Sequence, residues 1–297
     1  GVMDVTAEEV FIGNGVSELI DLTLRALLNP DDEVLIPSPD YPLWTASTVL
    51  NGGKAVYYPC DQNDSYMPDP DKVRQLVTPK TRAIVVINPN NPTGAVYSLE
   101  CLSGLARIAE ENNLVILCDE IYDQMLYDNA EFIPMATVCS DALCATFSGL
   151  SKVYRACGYR VGWVSFNGAL DKSKDLFEAM DLLAALRLCS NVPGQWAVQT
   201  ALGGFQSVAK LCSEGGRLYE SRQAVINGVK SSQFLTLVPP NGSMYAFIGV
   251  DTQKLPKFDD ELFAMELLEN KHVLVAPGSS FNTGYRSHFR ITILPDK

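Results

Sequence analysis

The sequence has 297 residues, 47% hydrophobic and 20% charged, enough for a large buried core and roughly two domains. Its net charge of −12 argues against nucleic acid or anionic membranes as partners, because both need clustered Lys and Arg. No apolar run reaches the ~20 residues that span a bilayer. The eight cysteines include no CxxC pair, and two histidines are too few for a histidine-rich metal site, so no metal is expected.

The first segment, GVMDVTAEEV, carries no secretory pattern and lacks an initiator methionine, as expected of a piece cut from a longer chain. IGNGVSELI (12–20) then places Gly15, Val16 and Ser17 at the start of a helix over 17–28. Free N–H groups and the helix dipole there favour a phosphate, although Ser17 could simply cap the helix. EVLIP (33–37) reads as a buried strand, and PSPDYPLW after it presents Tyr41 between prolines, a ring available for stacking or for packing. KAVYY (54–58) and RAIVVIN (82–88) read as further buried strands. NPNNPTG then ends the second of these on a stiff turn that displays Asn91.

A helix is expected over 99–113, where apolar residues recur at i, i+3, i+4 and i+7, and a strand over 113–120. That strand ends in Asp119-Glu120-Ile121-Tyr122. A magnesium-binding ATPase strand would look alike but needs GxxxxGK[ST] upstream, which is missing; alternatively Asp119 caps the next helix. LCATF (143–147) leads into SGLSKVYRACGYRVGW, with Lys152 just past a strand end and Arg160 eight residues on, before a strand over 159–166. A partly buried lysine is uncommon without a task, and desolvation or nearby cations free such an amine as a nucleophile. Strands alternating with helices predict an α/β fold with a mostly parallel sheet covered on both faces. Beyond about 205 the pattern becomes helix, strand, helix, strand, strand, suited to a smaller, incomplete α+β domain. The division expected is 1–222 and 223–297. Arg290, in SHFRITI, reads as an edge-strand charge or as a bidentate clamp on a carboxylate.

Each feature alone has an ordinary structural explanation. Together they supply an aldehyde-reactive amine, an anion-binding helix start, a stacking ring, a carboxylate for a pyridinium nitrogen and donors for a phenolic oxygen. These are the needs of pyridoxal phosphate. In GNGVSELI, PDYPLW, INPNNPTG, DEIYD and SKVYRACGYR, along nearly its whole length, the chain resembles the fold-type-I, class I and II aminotransferases, closest to their bacterial glutamate–pyruvate (alanine) type.

The resemblance implies roles for individual residues. Lys152 would form the Schiff base with the cofactor and act as catalytic base, and Asp119 would pair with the ring nitrogen. Asn91 and Tyr122 would hold the phenolic oxygen, and Tyr41 would stack on the ring. Gly15, Val16, Ser17 and Arg160 would hold the phosphate, and Arg290, with Asn91, the substrate carboxylate. It also implies a cis peptide before Pro92 and a homodimer acting on amino acids and 2-oxo acids. Gly149 departs from the family, which often has a phosphate-binding serine there; Ser148 or Ser151 would have to substitute. The family's N-terminal covering segment and closing helix are also missing. Arg187 is a candidate reader of a second carboxylate, or an interface residue. A lyase on the same scaffold and a cofactor-binding regulatory domain are the alternatives. Dispersed cysteines in apolar runs point to reduced thiols and a cytoplasmic setting.

Overall fold

The computed structural model of the protein describes residues 5–296. Its larger sheet contains β1 (Val10–Gly13), β2 (Glu33–Ser38), β3 (Lys54–Pro59), β4 (Thr81–Ile87), β5 (Val115–Asp119), β6 (Leu143–Gly149) and β7 (Gly162–Gly168). Their spatial order is β1-β7-β6-β5-β4-β2-β3. Strands β2 to β6 are parallel to one another, whereas β7 runs antiparallel to β6 and β1 antiparallel to β7. The expected mostly parallel sheet is therefore present, with an antiparallel edge.

Successive side chains on a strand face opposite ways, and here both faces are covered. Val34, Ile36, Val85, Ile87 and Phe147 pack with residues of α1 (Val16–Leu27), α2 (Leu43–Leu50) and α5 (Lys174–Leu186), the last of which follows α3 (Pro70–Arg74) and α4 (Leu99–Asn112) in the chain. Leu35, Ile84, Val86, Ile116 and Cys144 pack against α4 (Leu99–Asn112) and α3 (Pro70–Arg74) on the other face. That double burial explains why these strands read as unbroken apolar runs.

Two strand readings need correction. KAVYY was expected to be buried, but β3 is an edge strand: Tyr58 is buried while Lys54, Tyr57 and Pro59 are exposed. YRVGWVSF was expected to be extended from Tyr159. Instead Cys157–Tyr159 form a 3-10 turn, Arg160 adopts φ +49°, and β7 begins at Gly162.

After α6 (Val192–Gly203) and α7 (Ser207–Cys212) comes α8 (Arg217–Ser231), with residue 222 inside it. Arg222 is buried there, donating to the Pro240 carbonyl (2.7 Å) and to Asp128 (2.8 Å). The second sheet has the order β10 (Ala276–Pro277), β11 (His288–Thr292), β9 (Tyr245–Val250), β8 (Leu235–Leu237), all antiparallel, with α9 (Asp260–Lys271) between β9 and β10. Leu218 and Val229 of α8 and Ala264 of α9 share its core with Ile248, Val250 and Phe289.

Candidate active site

In a sheet of this kind the carboxyl ends of parallel strands, near the point where strand order reverses, form the natural binding crevice. Here the reversal falls between β2 and β4. The turns after β2, β4, β5 and β6 bring Tyr41, Asn91, Asp119 with Tyr122, and Lys152 to that crevice.

Asn91 is held by its own turn. The Thr93 hydroxyl donates to Asn90 Oδ1 (2.8 Å), the Gly94 amide donates to the Asn90 carbonyl (2.9 Å), and Gly94 takes φ +73°. The peptide before Pro92 is cis, as are those before Pro39 and Pro89.

The end of the cleft beside α1 is set by strand register. Gly13 of β1 pairs with Gly162 of β7, so Arg160, two residues before Gly162, lies beside the turn that follows β1. Its guanidinium donates to the carbonyls of Asn14 (3.1 Å) and Cys157 (2.9 Å). Gly15 is the N-cap of helix α1, and among the described residues no side chain caps it, which leaves the helix's first N–H groups open to a ligand. Gly15 has φ +92° and ψ 165°, a conformation essentially reserved for glycine, and a Cβ there would collide with Arg160 Nη2. Gly15→Ala is therefore expected to displace Arg160 and weaken phosphate-ligand affinity by at least about tenfold. Calorimetric titration with pyridoxal phosphate checks this; unchanged affinity would contradict it.

Arg290 arrives from the second sheet. It donates to Asn91 Oδ1 (2.9 Å), bridging the two sheets. Its guanidinium carbon lies 4.2 Å from the centroid of the Tyr245 ring and 4.7 Å from that of Phe281. Among the described residues its buried Nε has no hydrogen-bond partner.

Asp119 is 3% exposed, and among the described residues its carboxylate accepts only long hydrogen bonds, from the Ile121 amide (3.3 Å) and Trp44 Nε1 (3.4 Å). Burial pushes its carboxyl up to about 6, offset in part by those donors and by the nearby Lys152 ammonium. The Tyr122 phenol, buried and beside Tyr245, is raised well above its usual range. It donates to Tyr245 (3.1 Å).

One cleft of about 300 Å³ is lined by Val16, Ser17, Tyr41, Asn91, Asp119, Tyr122, Ser151, Lys152, Arg160 and Arg290, with Gly15 directly behind the Arg160 guanidinium. Ser151 lines it and Ser148 does not; Ser148 is held in the β6–β7 pairing opposite Trp163. Gly149 could not be a serine without strain, since a Cβ would meet the Val161 carbonyl at 2.8 Å. Arg187 lies outside the cleft. Its guanidinium donates to the Ile12 carbonyl (2.7 Å) and faces Glu18 (3.5 Å).

The matching family model, aminotransferase class I and II, spans residues 1–297. The chain belongs to the class I and II aminotransferases. It is 48% identical over 295 residues to the glutamate-pyruvate aminotransferase AlaA of Escherichia coli strain K12, covering 99% of this chain and 73% of that protein. With the alanine aminotransferase of Mycobacterium tuberculosis strain H37Rv it shares 47% over 288 residues, 97% of this chain and 67% of the other. A crystal structure of an aminotransferase from Escherichia coli superimposes with a TM-score of 0.97 at 48% identity, covering 100% of this chain and 73% of that one. The alanine aminotransferase from Pyrococcus furiosus gives 0.92 at 36% identity, with 99% and 73% covered.

Three side chains that contact the cleft's charged residues escaped sequence reasoning. Trp44 follows Tyr41 by three residues, a helical spacing that could have drawn notice. Tyr245 and Phe281 gave no such signal, because only the second sheet's folding carries them to Arg290.

Proposed function

We propose that the cleft binds pyridoxal phosphate and that the protein moves an amino group between L-alanine and 2-oxoglutarate, or glutamate and pyruvate, in two half-reactions. One observation carries this reading: segments far apart in sequence converge Lys152, Asp119, Asn91, Tyr122, Arg160 and Arg290 on one cleft. The substrate pair follows the names of the relatives at 47% and 48% identity.

The residues present fit the cofactor. The uncapped start of α1 and Arg160 suit its phosphate, and the Gly15 backbone leaves room for it. Asp119, buried with weak partners, suits a protonated ring nitrogen. Tyr122 and Asn91 suit the phenolic oxygen, Tyr41 can lie against the ring, and Ser151 adds a hydroxyl at the rim.

When bound, pyridoxal phosphate supplies an aldehyde for the amino group and a ring that accepts the electron pair left at Cα. Arg290 holds the substrate carboxylate through the Nε and Nη groups that Asn91 does not occupy. Lys152 Nζ would take the proton from the substrate Cα and deliver it to the cofactor's aldehyde carbon; among the described residues its amine has no hydrogen-bond partner to compete. Asp119 keeps the ring nitrogen protonated, which favours charge that develops only at the transition state.

The protein is further proposed to act as a homodimer. Leu188 (87%), Phe205 (85%) and Trp196 (82%) are exposed around α6, and an apolar face of that kind marks an interface. Trp196→Glu is expected to convert dimer to monomer in sedimentation; a monomeric parent would contradict the proposal. A cytoplasmic setting is supported by eight free cysteines. Among the described residues no helix is long and apolar enough to cross a membrane.

Spectroscopy tests the reaction. The visible band of the cofactor-loaded protein is expected to bleach with L-alanine and return with 2-oxoglutarate. A band untouched by either removes the transaminase reading.

A further inference from the structure

Tyr245 touches both halves of the cleft. In the β9–β11 register Arg290 faces Phe247, and Tyr245, two residues along the same strand, points to the same side. Arg290 therefore reaches diagonally over the Tyr245 ring, 4.2 Å from its centroid. The Tyr245 hydroxyl meanwhile accepts from Tyr122 at 3.1 Å, and the two rings meet edge to face with centroids 5.8 Å apart. Tyr122 belongs to the turn after β5 in the larger sheet. Tyr245 is 5% exposed, and its hydroxyl has no other hydrogen-bond partner among the described residues.

We propose that Tyr245 is a positioning residue that couples the carboxylate clamp, Arg290, to the hydroxyl of Tyr122. The inference rests on the function proposed above. A phenol donates one hydrogen bond and accepts up to two. Tyr122 here gives its proton to Tyr245. To donate instead to a phenolic oxygen in the cleft, Tyr122 must turn its proton away, and Tyr245 can then rotate its own hydroxyl and donate back. Each bond in such a chain polarises the next, so Tyr122 becomes a stronger donor than an isolated phenol. At its other end the ring face of Tyr245 holds the Arg290 guanidinium against Phe281. The two contacts are separable: the oxygen serves Tyr122, and the ring serves Arg290.

That separation gives the test. Both variants are made in the chain loaded with pyridoxal phosphate. Tyr245→Phe keeps the ring and loses the hydroxyl. It is expected to raise the pH midpoint of the visible band, measured without substrate, because a weaker donor gives less support to the form with more negative charge on the phenolic oxygen. It should lower kcat about threefold to fivefold while the KM for alanine stays within about twofold. Tyr245→Leu loses both contacts and should show the same midpoint change together with a KM raised about tenfold. A side chain that only fills the core would leave the midpoint in place and would not split KM from kcat. If the parent loads and exchanges amino groups while Tyr245→Phe matches it in midpoint and kcat, this inference alone falls. A parent that takes up no pyridoxal phosphate overturns the function on which it rests as well.

Discussion

Lys152→Ala is expected to lower amino-group exchange between L-alanine and 2-oxoglutarate by at least about ten-thousand-fold. In the proposed reaction the amine serves twice, as the covalent anchor for the cofactor and as the carrier of the Cα proton. No neighbour can replace it, since the other nitrogen-bearing groups lining the cleft are guanidinium groups and an amide, none of them a useful base near neutral pH. Loss of the amine leaves the proposed phosphate cradle and Asp119 intact, so cofactor uptake should weaken far less than turnover. A variant that retains activity within about tenfold of the parent would remove Lys152 from the role assigned to it.

Asp119→Asn should separate activity from stability in opposite directions. Activity is expected to fall by about a hundredfold to ten-thousandfold, because asparagine cannot keep a ring nitrogen protonated. The cofactor-free protein should become more stable at neutral pH. Burial raises the Asp119 carboxyl to about 6, so the folded chain binds its proton more tightly than the unfolded chain does. Stability then falls as pH rises through the window from the ordinary carboxylate range to about 6. Above that window the buried charge costs up to about 3 kcal/mol, at 1.36 kcal/mol for each unit. Asparagine can still accept from Trp44 and Ile121 without that cost. The difference in unfolding free energy between variant and parent should therefore be largest at pH 7 and vanish near pH 4. Asp40, also raised to about 6, and Glu120, raised to about 7, are present in both proteins and cancel in the comparison. A variant less stable than the parent at pH 7 would contradict this account of the site. The electrostatic strain at Asp119 is what a positively charged ring nitrogen would relieve.

The residues legible in the sequence are those at which an apolar run stops and a chemically distinctive side chain follows within a few positions. Asp119 after VILC, Asn91 after VVIN and Lys152 after LCATFSG all fit that description, because parallel strands end at the crevice and the chain pattern shows where they end. Arg160 was legible from its spacing to Lys152, but its placement depends on the Gly13–Gly162 register, and its left-handed backbone interrupts a run that looked extended. The exposed edge of β3 was hidden for a related reason: the sequence of KAVYY does not say which strand stands at the border of the sheet. Tyr245 is the clearest case of an unreadable residue. MYAFIGVD is an ordinary core strand until the β9–β11 pairing sets its tyrosine under Arg290 and against Tyr122. Arg187 shows the converse, a cation beside a conspicuous motif that folding turns toward the Ile12 carbonyl and Glu18, outside the cleft.

The central claim is that the amine of Lys152 is the group that takes up the cofactor. Reducing the pyridoxal-phosphate-loaded protein with borohydride and mapping the modified peptide by mass spectrometry tests it most directly. The account predicts stable label on the peptide carrying Lys152 and on no other lysine, and label elsewhere, or none, would contradict it.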